Sequence, residues 1–142
     1  MEKQKIFIVE HLEKKLWPWC LIEYKHISKI VGKKNLFFTN IKKADSKKLL
    51  KYGKIFNKSI ANFDLNACIL DPEAKESLTP QKAKKFQYFI FGGILGNNPP
   101  QKRTHEELSK KINLQKFNIG KKQMSTDNAV YVVKKIIHGF SL

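Results

Sequence analysis

Short apolar runs alternate with segments of helical periodicity along most of this chain. That alternation constrains the fold more than any other feature. Residues 5–10 (Lys-Ile-Phe-Ile-Val-Glu) form a nearly continuous apolar run, the pattern of a strand buried on both faces. Residues 35–39, 66–70 and 86–91 read as three more strands, the third stopped by Asp71-Pro72 and the fourth by Gly92-Gly93. Residues 115–119 read as a short fifth. Residues 17–31 are predicted helical, with Pro18 in the first turn, Gly32 just past the end, and Cys20, Tyr24, Ile27 and Val31 as the apolar stripe. The Lys-rich residues 45–54 are predicted helical with Leu49 and Leu50 inward. Residues 104–112 suit a short helix, because Thr104 and Glu107 have capping-box spacing. The last helix is placed at 126–138, burying Ala129, Val130, Val133, Ile136 and Ile137, with Gly139 after it. Strands alternating with helices predict an α/β fold, a mainly parallel sheet flanked by helices. No repeat or linker divides the 142 residues, so one domain over 1–142 is expected.

The charge narrows the partners. The formal net charge is +16, with 28 Lys and Arg against 12 Asp and Glu. A coding bias toward Lys, Asn and Ile would raise Glu as well, so the shortage of acids favours a selected basic surface. Such a surface attracts polyanions, and the ribosome or RNA is the evident class. Arg103 is the single arginine. Against a background of lysine, a lone guanidinium suits a geometric role, gripping an anion with its planar fork; the plainer reading is an ion pair with Glu106 or Glu107. No apolar run reaches 18 residues, and the stretch Ile6-Phe7-Ile8-Val9 is too short for a signal peptide. No membrane contact is expected. Cys20 and Cys68, far apart in apolar stretches, read as buried free thiols in a reducing, cytoplasmic setting. The histidines and cysteines lack metal-ligand spacing, so no metal is expected.

In open α/β sheets, ligands bind beyond the carboxyl ends of the strands. Those ends are Glu10-His11, Asp71-Pro72-Glu73 and the stretch 92–100 (Gly-Gly-Ile-Leu-Gly-Asn-Asn-Pro-Pro). Three of seven glycines and two of five prolines fall in that last stretch, which marks a ligand loop more than a plain turn. Gly93 or Gly96 is expected to take positive φ or to lie against the ligand, so a valine there should impair binding more than folding. The spacing is not that of a dinucleotide loop, and no Walker phosphate cradle follows any glycine. The loop suits a neutral base such as adenine. Residues 120–127 (Gly-Lys-Lys-Gln-Met-Ser-Thr-Asp) join the fifth strand to the last helix, with Ser125 or Thr126 as its cap. The two loops would clasp one small molecule.

The resemblance lies in Glu10-His11, Trp19, Glu23-Tyr24, Asp71-Pro72 and Thr79-Pro80. It is strongest in Phe91 to Pro100 with Arg103-Thr104 and Glu107-Leu108, and it ends in Gln123-Met124-Ser125-Thr126-Asp127 with Ala129-Val130. In order and spacing these resemble the SPOUT-class methyltransferases, specifically a family once of unknown function and predicted to methylate RNA. A fungal member methylates an arginine of a small-subunit ribosomal protein. The resemblance covers nearly the whole chain. It implies a C-terminal trefoil knot, a topology that periodicity cannot suggest. It also implies S-adenosylmethionine as cofactor. Carried over, the cofactor contacts are Leu70, Gly92, Gly93, Ile94, Leu95 and Gly96 on one side, with Gln123, Met124, Ser125 and Thr126 on the other. Relatives continue past the last helix, so closure of the acceptor site by such a tail is not expected from these residues. Asn97-Asn98 stands where relatives carry acidic residues, which argues against catalysis at that position.

The acceptor stays open between a ribosomal protein arginine and an RNA group; a non-catalytic RNA or ribosome binder is the further alternative. A protonated guanidinium needs a carboxylate to localise its charge or take its proton. Glu10, Asp71 and Asp127 are the rim carboxylates, and Arg103 joins Glu10 and Asp71 as a catalytic candidate. Their plainer readings are strand-end hydrogen bonding for Glu10, a turn for Asp71 and a helix cap for Asp127. His11 reads as structural more readily than as a base. Trp17 and Trp19 line either an acceptor pocket or, more simply, the core. Monomer and homodimer are both open.

Overall fold

In the computed structural model of the chain, residues 4–93, 112–120 and 124–141 are described. The elements among them run β1 (Ile6–His11), α1 (Pro18–Val31), β2 (Leu36–Thr39), α2 (Ser46–Leu49), β3 (Lys54–Ile55), β4 (Ala67–Leu70), α3 (Pro80–Ala83), β5 (Tyr88–Gly93), β6 (Gln115–Phe117) and α4 (Thr126–Ile137). All but the last residue of the helix expected at 104–112 lies outside the described residues, as do Ile94, Leu95, Gly96, Arg103 and Gln123.

The six strands form one parallel sheet in the order β3-β2-β1-β5-β4-β6. All six residues of β1 are buried: the apolar run Ile6–Val9 suits the middle of a parallel sheet, and the polar Glu10 and His11 are buried with it. The chain steps outward from β1 through β2 to β3. It then crosses to β4, and β5 inserts between β1 and β4. The carboxyl ends of β1, β5, β4 and β6 therefore form one contiguous rim, and strand order reverses there.

Period two divides each strand between two cores. Phe7, Val9, Cys68, Phe89 and Phe91 face α1 and α4. Ile6, Ile8, Ile69 and Ile90 pack with Ile60 on the other face. Helix α1 buries Cys20, Tyr24, Ile27 and Val31, the expected stripe. Pro18 occupies its first turn, where a missing N–H costs nothing, and Gly32 ends it at φ 90°. Helix α4 buries Thr126, Val130, Val133 and Ile136, with Ala129 and Ile137 half-buried beside them. Cys20 and Cys68 are free and buried, and burial pushes the Cys68 thiol up to about 12. No helix among the described residues is long and apolar enough to cross a membrane.

Three local expectations are corrected. The helix expected at 45–54 is a 3-10 turn (Lys43–Asp45) and a single helical turn, followed by the edge strand β3. Lysines three and four apart repel along one helix face, and the N–H groups of Tyr52 and Gly53 both turn back to the Leu49 carbonyl. Leu49 is buried, but Leu50 is 55% exposed rather than inward. The fourth strand is not stopped by Gly92-Gly93: β5 runs through both, pairing Gly92 with Glu10 and Gly93 with His11. The fifth strand ends at Phe117, and Asn118 makes only a bridge to Ser77.

Candidate active site

The rim is built from strand ends and from the start of α4. The Thr126 hydroxyl donates to the Gly92 carbonyl at 3.0 Å, so the start of α4 is fastened to the end of β5. The Thr126 N–H donates to Glu23 Oε1 at 3.0 Å. Ser125 holds the cap position but makes no capping bond to the backbone. The cap is thus supplied from α1, 103 residues away, where a carboxylate meets the positive end of the α4 dipole. Burial raises the Glu23 carboxyl above its usual range, against the lowering effect of the Thr126 bonds. Asp127 accepts from the Asn128 N–H and pairs with His26 Nδ1 at 2.7 Å. Burial would raise its carboxyl, but bonds from Ser125, His26 and the Asn128 N–H hold it below its usual value.

Glu10 is inside the rim rather than open to it. Its Oε1 accepts from the Thr39 hydroxyl at 2.6 Å and the Ile60 N–H at 2.8 Å, and its Oε2 accepts from the Ser59 hydroxyl at 2.5 Å. The carboxylate is 3% exposed and fastens the segment at 59–60 to the ends of β1 and β2. Asp71 is also buried. Its Oδ1 accepts from the Glu73 N–H at 2.9 Å, and its own N–H donates to the Phe117 carbonyl, tying the ends of β4 and β6. Beside it, buried Asn118 donates to the Ala74 carbonyl at 2.8 Å and accepts from Ser77 and the Gly120 N–H.

His11 is structural. The Lys15 carbonyl can only accept, so His11 Nε2 carries the proton at 3.0 Å, and the Tyr24 hydroxyl then donates to Nδ1 at 2.6 Å. Burial lowers the imidazole below its ordinary value. Gly93 is also corrected. It is absent from the positive-φ glycines, and a Cβ there would collide with the Tyr24 hydroxyl. Packing within the protein therefore already requires glycine at 93, and Gly96, the other half of that expectation, lies outside the described residues.

The structure thus brings Leu70, Asp71, Gly92, Gly93, Met124, Ser125 and Thr126 to one edge of the sheet, with Glu10 buried beside them. Sequence reasoning missed the Glu23 cap and the Asn118 brace, because each partner is remote in the chain. Trp17 and Trp19 are not core residues: they are 37% and 53% exposed, with ring centroids 6.2 Å apart. The Lys15 ammonium sits 5.5 Å from the Trp17 ring centre. Among the described residues, no group of His, Cys, Asp and Glu is arranged to hold a metal.

Gly92 and Thr126 bring backbone groups to this rim, and the sequence carries no Walker phosphate motif. Residues 6–142 match the family described as protein arginine N-methyltransferase SFM1-like. Protein arginine N-methyltransferase SFM1 of Saccharomyces cerevisiae is 36% identical, over 92% of this chain and 70% of that protein. The crystal structure of the yeast arginine methyltransferase SFM1 complexed with SAM superposes with a TM-score of 0.83 at 33% identity, covering 94% of this chain and 68% of the other. The dual-specific Trm10 from Thermococcus kodakaraensis shares the fold, with a TM-score of 0.74 at 16% identity over 94% of this chain and 91% of its own.

Proposed function

This chain belongs to the SFM1-like protein arginine N-methyltransferases, and from that premise we propose that it methylates an arginine of a ribosomal protein. S-adenosylmethionine is the donor, as in the relatives' complexes. The observation that carries the site is the Thr126–Gly92 hydrogen bond. It joins the two loop regions expected to clasp the cofactor, next to the ends of β4 and β6.

Cofactor contacts are proposed along Gly92 to Gly96 and Gln123 to Thr126, with Leu70 at the neighbouring strand end. The threading is proposed to be the SPOUT trefoil knot, because α4 returns to β5 and α1 after the chain has passed out to β6. One domain over residues 1–142 holds both cofactor and acceptor.

Bound there, S-adenosylmethionine supplies an electrophilic methyl group on a positively charged sulfur. The chain must orient an arginine nitrogen in line with it and receive the proton that this nitrogen loses. Asp71, at the end of β4, is proposed as the carboxylate that localises the guanidinium charge. Arg103 is proposed to grip an anion of cofactor or acceptor. Glu10 is proposed as a positioning residue, acting through Thr39, Ser59 and Ile60. The Trp17–Trp19 pair is proposed as the acceptor's entry, because Lys15 already places a cation on one of its rings and a guanidinium binds the same surface.

The test is calorimetric titration with S-adenosylmethionine, followed by labelled-methyl transfer to ribosomal subunits with parallel protease and RNase digests. Micromolar binding and protease-sensitive label are expected. Label that survives protease and disappears with RNase would replace the protein acceptor with RNA.

A further inference from the structure

We propose that the β2–β3 edge of the sheet is a docking surface for single-stranded RNA, separate from the cofactor rim. Two independent features coincide there. Residues 33–58 hold nine lysines and one acid, Asp45. Half of the net charge of +16 thus falls within this one segment, which carries β2 and β3. On the face away from α1, the same edge carries a chain of four half-buried rings. Tyr88 and Phe37 lie 6.2 Å apart between centroids, Phe37 and Phe56 5.3 Å, and Phe56 and Phe63 5.2 Å.

Lysines and rings are interleaved. Lys54 pairs with Phe37 across β2 and β3, and its ammonium lies 5.7 Å from the Phe37 ring centre and 5.4 Å from that of Phe56. The Lys58 ammonium lies 4.3 Å from the Phe63 centre. Both lysines are exposed, and the rings beside them are half-buried rather than enclosed. Among the described residues neither lysine forms an ion pair. Asp45 is taken by Lys48 at 3.6 Å, and Asp64 is the acid nearest in sequence to Phe63. The part of an aromatic ring left open to solvent accepts a stacked base of any sequence, while flexible lysines beside it follow the phosphates. A long lysine side chain can leave a ring for a phosphate without disturbing the sheet.

This surface reaches β5 only at Tyr88, its amino end, whereas the cofactor rim is at the carboxyl ends of β5, β4 and β6, so RNA held there is a platform rather than the methyl acceptor. The inference rests on the ribosomal reading only for the source of the RNA. The test is fluorescence anisotropy of the full chain with a labelled oligouridine. Lys54→Glu/Lys58→Glu should weaken binding at least tenfold and lower the salt slope by about 1.4, two single-strand phosphate contacts. Phe56→Leu, which keeps the apolar packing, should weaken binding about threefold with the slope unchanged. Lys25→Glu/Lys29→Glu on α1, with the same change in charge, should have less than half the effect of the first variant on log affinity. Equal loss in the two charge variants would reduce the interaction to net charge, and wild-type affinity in the first would remove the surface. Methyl transfer to an RNA-free ribosomal protein should be unchanged in all three variants. Its absence in the wild type would count against the proposed acceptor and leave the RNA result standing.

Discussion

The Tyr24 hydroxyl occupies the space that a side chain on Gly93 would need. Tyr24 is held there by its bond to His11, so the end of β1, the first turns of α1 and the end of β5 meet at one point. A Cβ on Gly93 would also lie 3.0 Å from Val9 Cγ1 and 3.1 Å from the Glu10 carbonyl oxygen. Gly93→Ala should therefore destabilise by about 1–3 kcal/mol through overpacking. Tyr24→Phe removes the most crowded atom, so the double variant should be less destabilised than the sum by more than about 0.5 kcal/mol. Urea unfolding of the two single variants and the double variant measures this. Strict additivity would show that the hydroxyl does not set the requirement for glycine.

That contact also shows why a sequence misreads this region. Gly92-Gly93 followed by another glycine and two prolines has the composition of a loop, and local pattern places the strand end before it. The pairing of Gly93 with His11 and the contact with Tyr24 are tertiary facts with no local signature. The opposite holds for β1 and α1. Four consecutive β-branched or aromatic residues, and a stripe at Cys20, Tyr24, Ile27 and Val31, express burial within a few residues of chain, so both elements are legible. The lysine run at 42–54 misleads in another way. Its residues are good helix formers, but its end is set by contact with β2, where a Cβ on Gly53 would lie 2.6 Å from the Leu36 carbonyl oxygen. The rim residues Asp71 and Thr126 could be named from motif resemblance. The Glu23 cap on α4 could not, because nothing near residue 126 announces a partner at residue 23.

The hydroxyl of Thr126 offers a direct test of the clasp. Thr126→Val keeps the shape and removes the donor to Gly92. The expected result is about tenfold weaker binding of S-adenosylmethionine, roughly 1.4 kcal/mol, with the thermal midpoint moved by only a few degrees. Calorimetry on both proteins decides it. Equal affinities would separate the Thr126–Gly92 tie from cofactor binding.

Glu10→Gln discriminates positioning from direct chemistry. The amide has one acceptor oxygen where three donors converge, and its NH2 would face at least one of them. A loss of about 1.5–3 kcal/mol in stability is expected, measured by denaturant unfolding. Methyl transfer assayed well below the new midpoint should fall less than tenfold. A tenfold or larger fall with unchanged stability would instead put the carboxylate against the acceptor.

His11 predicts how stability depends on pH. Burial lowers its folded pKa below 6.5, while the Lys15 carbonyl and the more distant Glu13 and Asp45 oppose that effect and Lys42 reinforces it. Between the folded value and 6.5 the unfolded chain binds more protons at this site than the folded one, so stability rises with pH there. The contribution is complete above 6.5. It is lost progressively on acidification, at no more than about 1.4 kcal/mol per pH unit for one group. Glu23 acts with the opposite sign, because its folded pKa is raised from 4.5; its carboxylate costs stability as pH rises through that raised value. The Asp127 carboxyl is held below its usual value in part by its bond from His26, so the measurement is best made in a His26→Gln background. In that background the unfolding free energy should fall as pH drops below 6.5, and adding His11→Gln should lower stability overall and flatten the slope. A slope that persists without His11 would assign the acid sensitivity to another group and leave the buried imidazole as an uncoupled spacer between Tyr24 and Lys15.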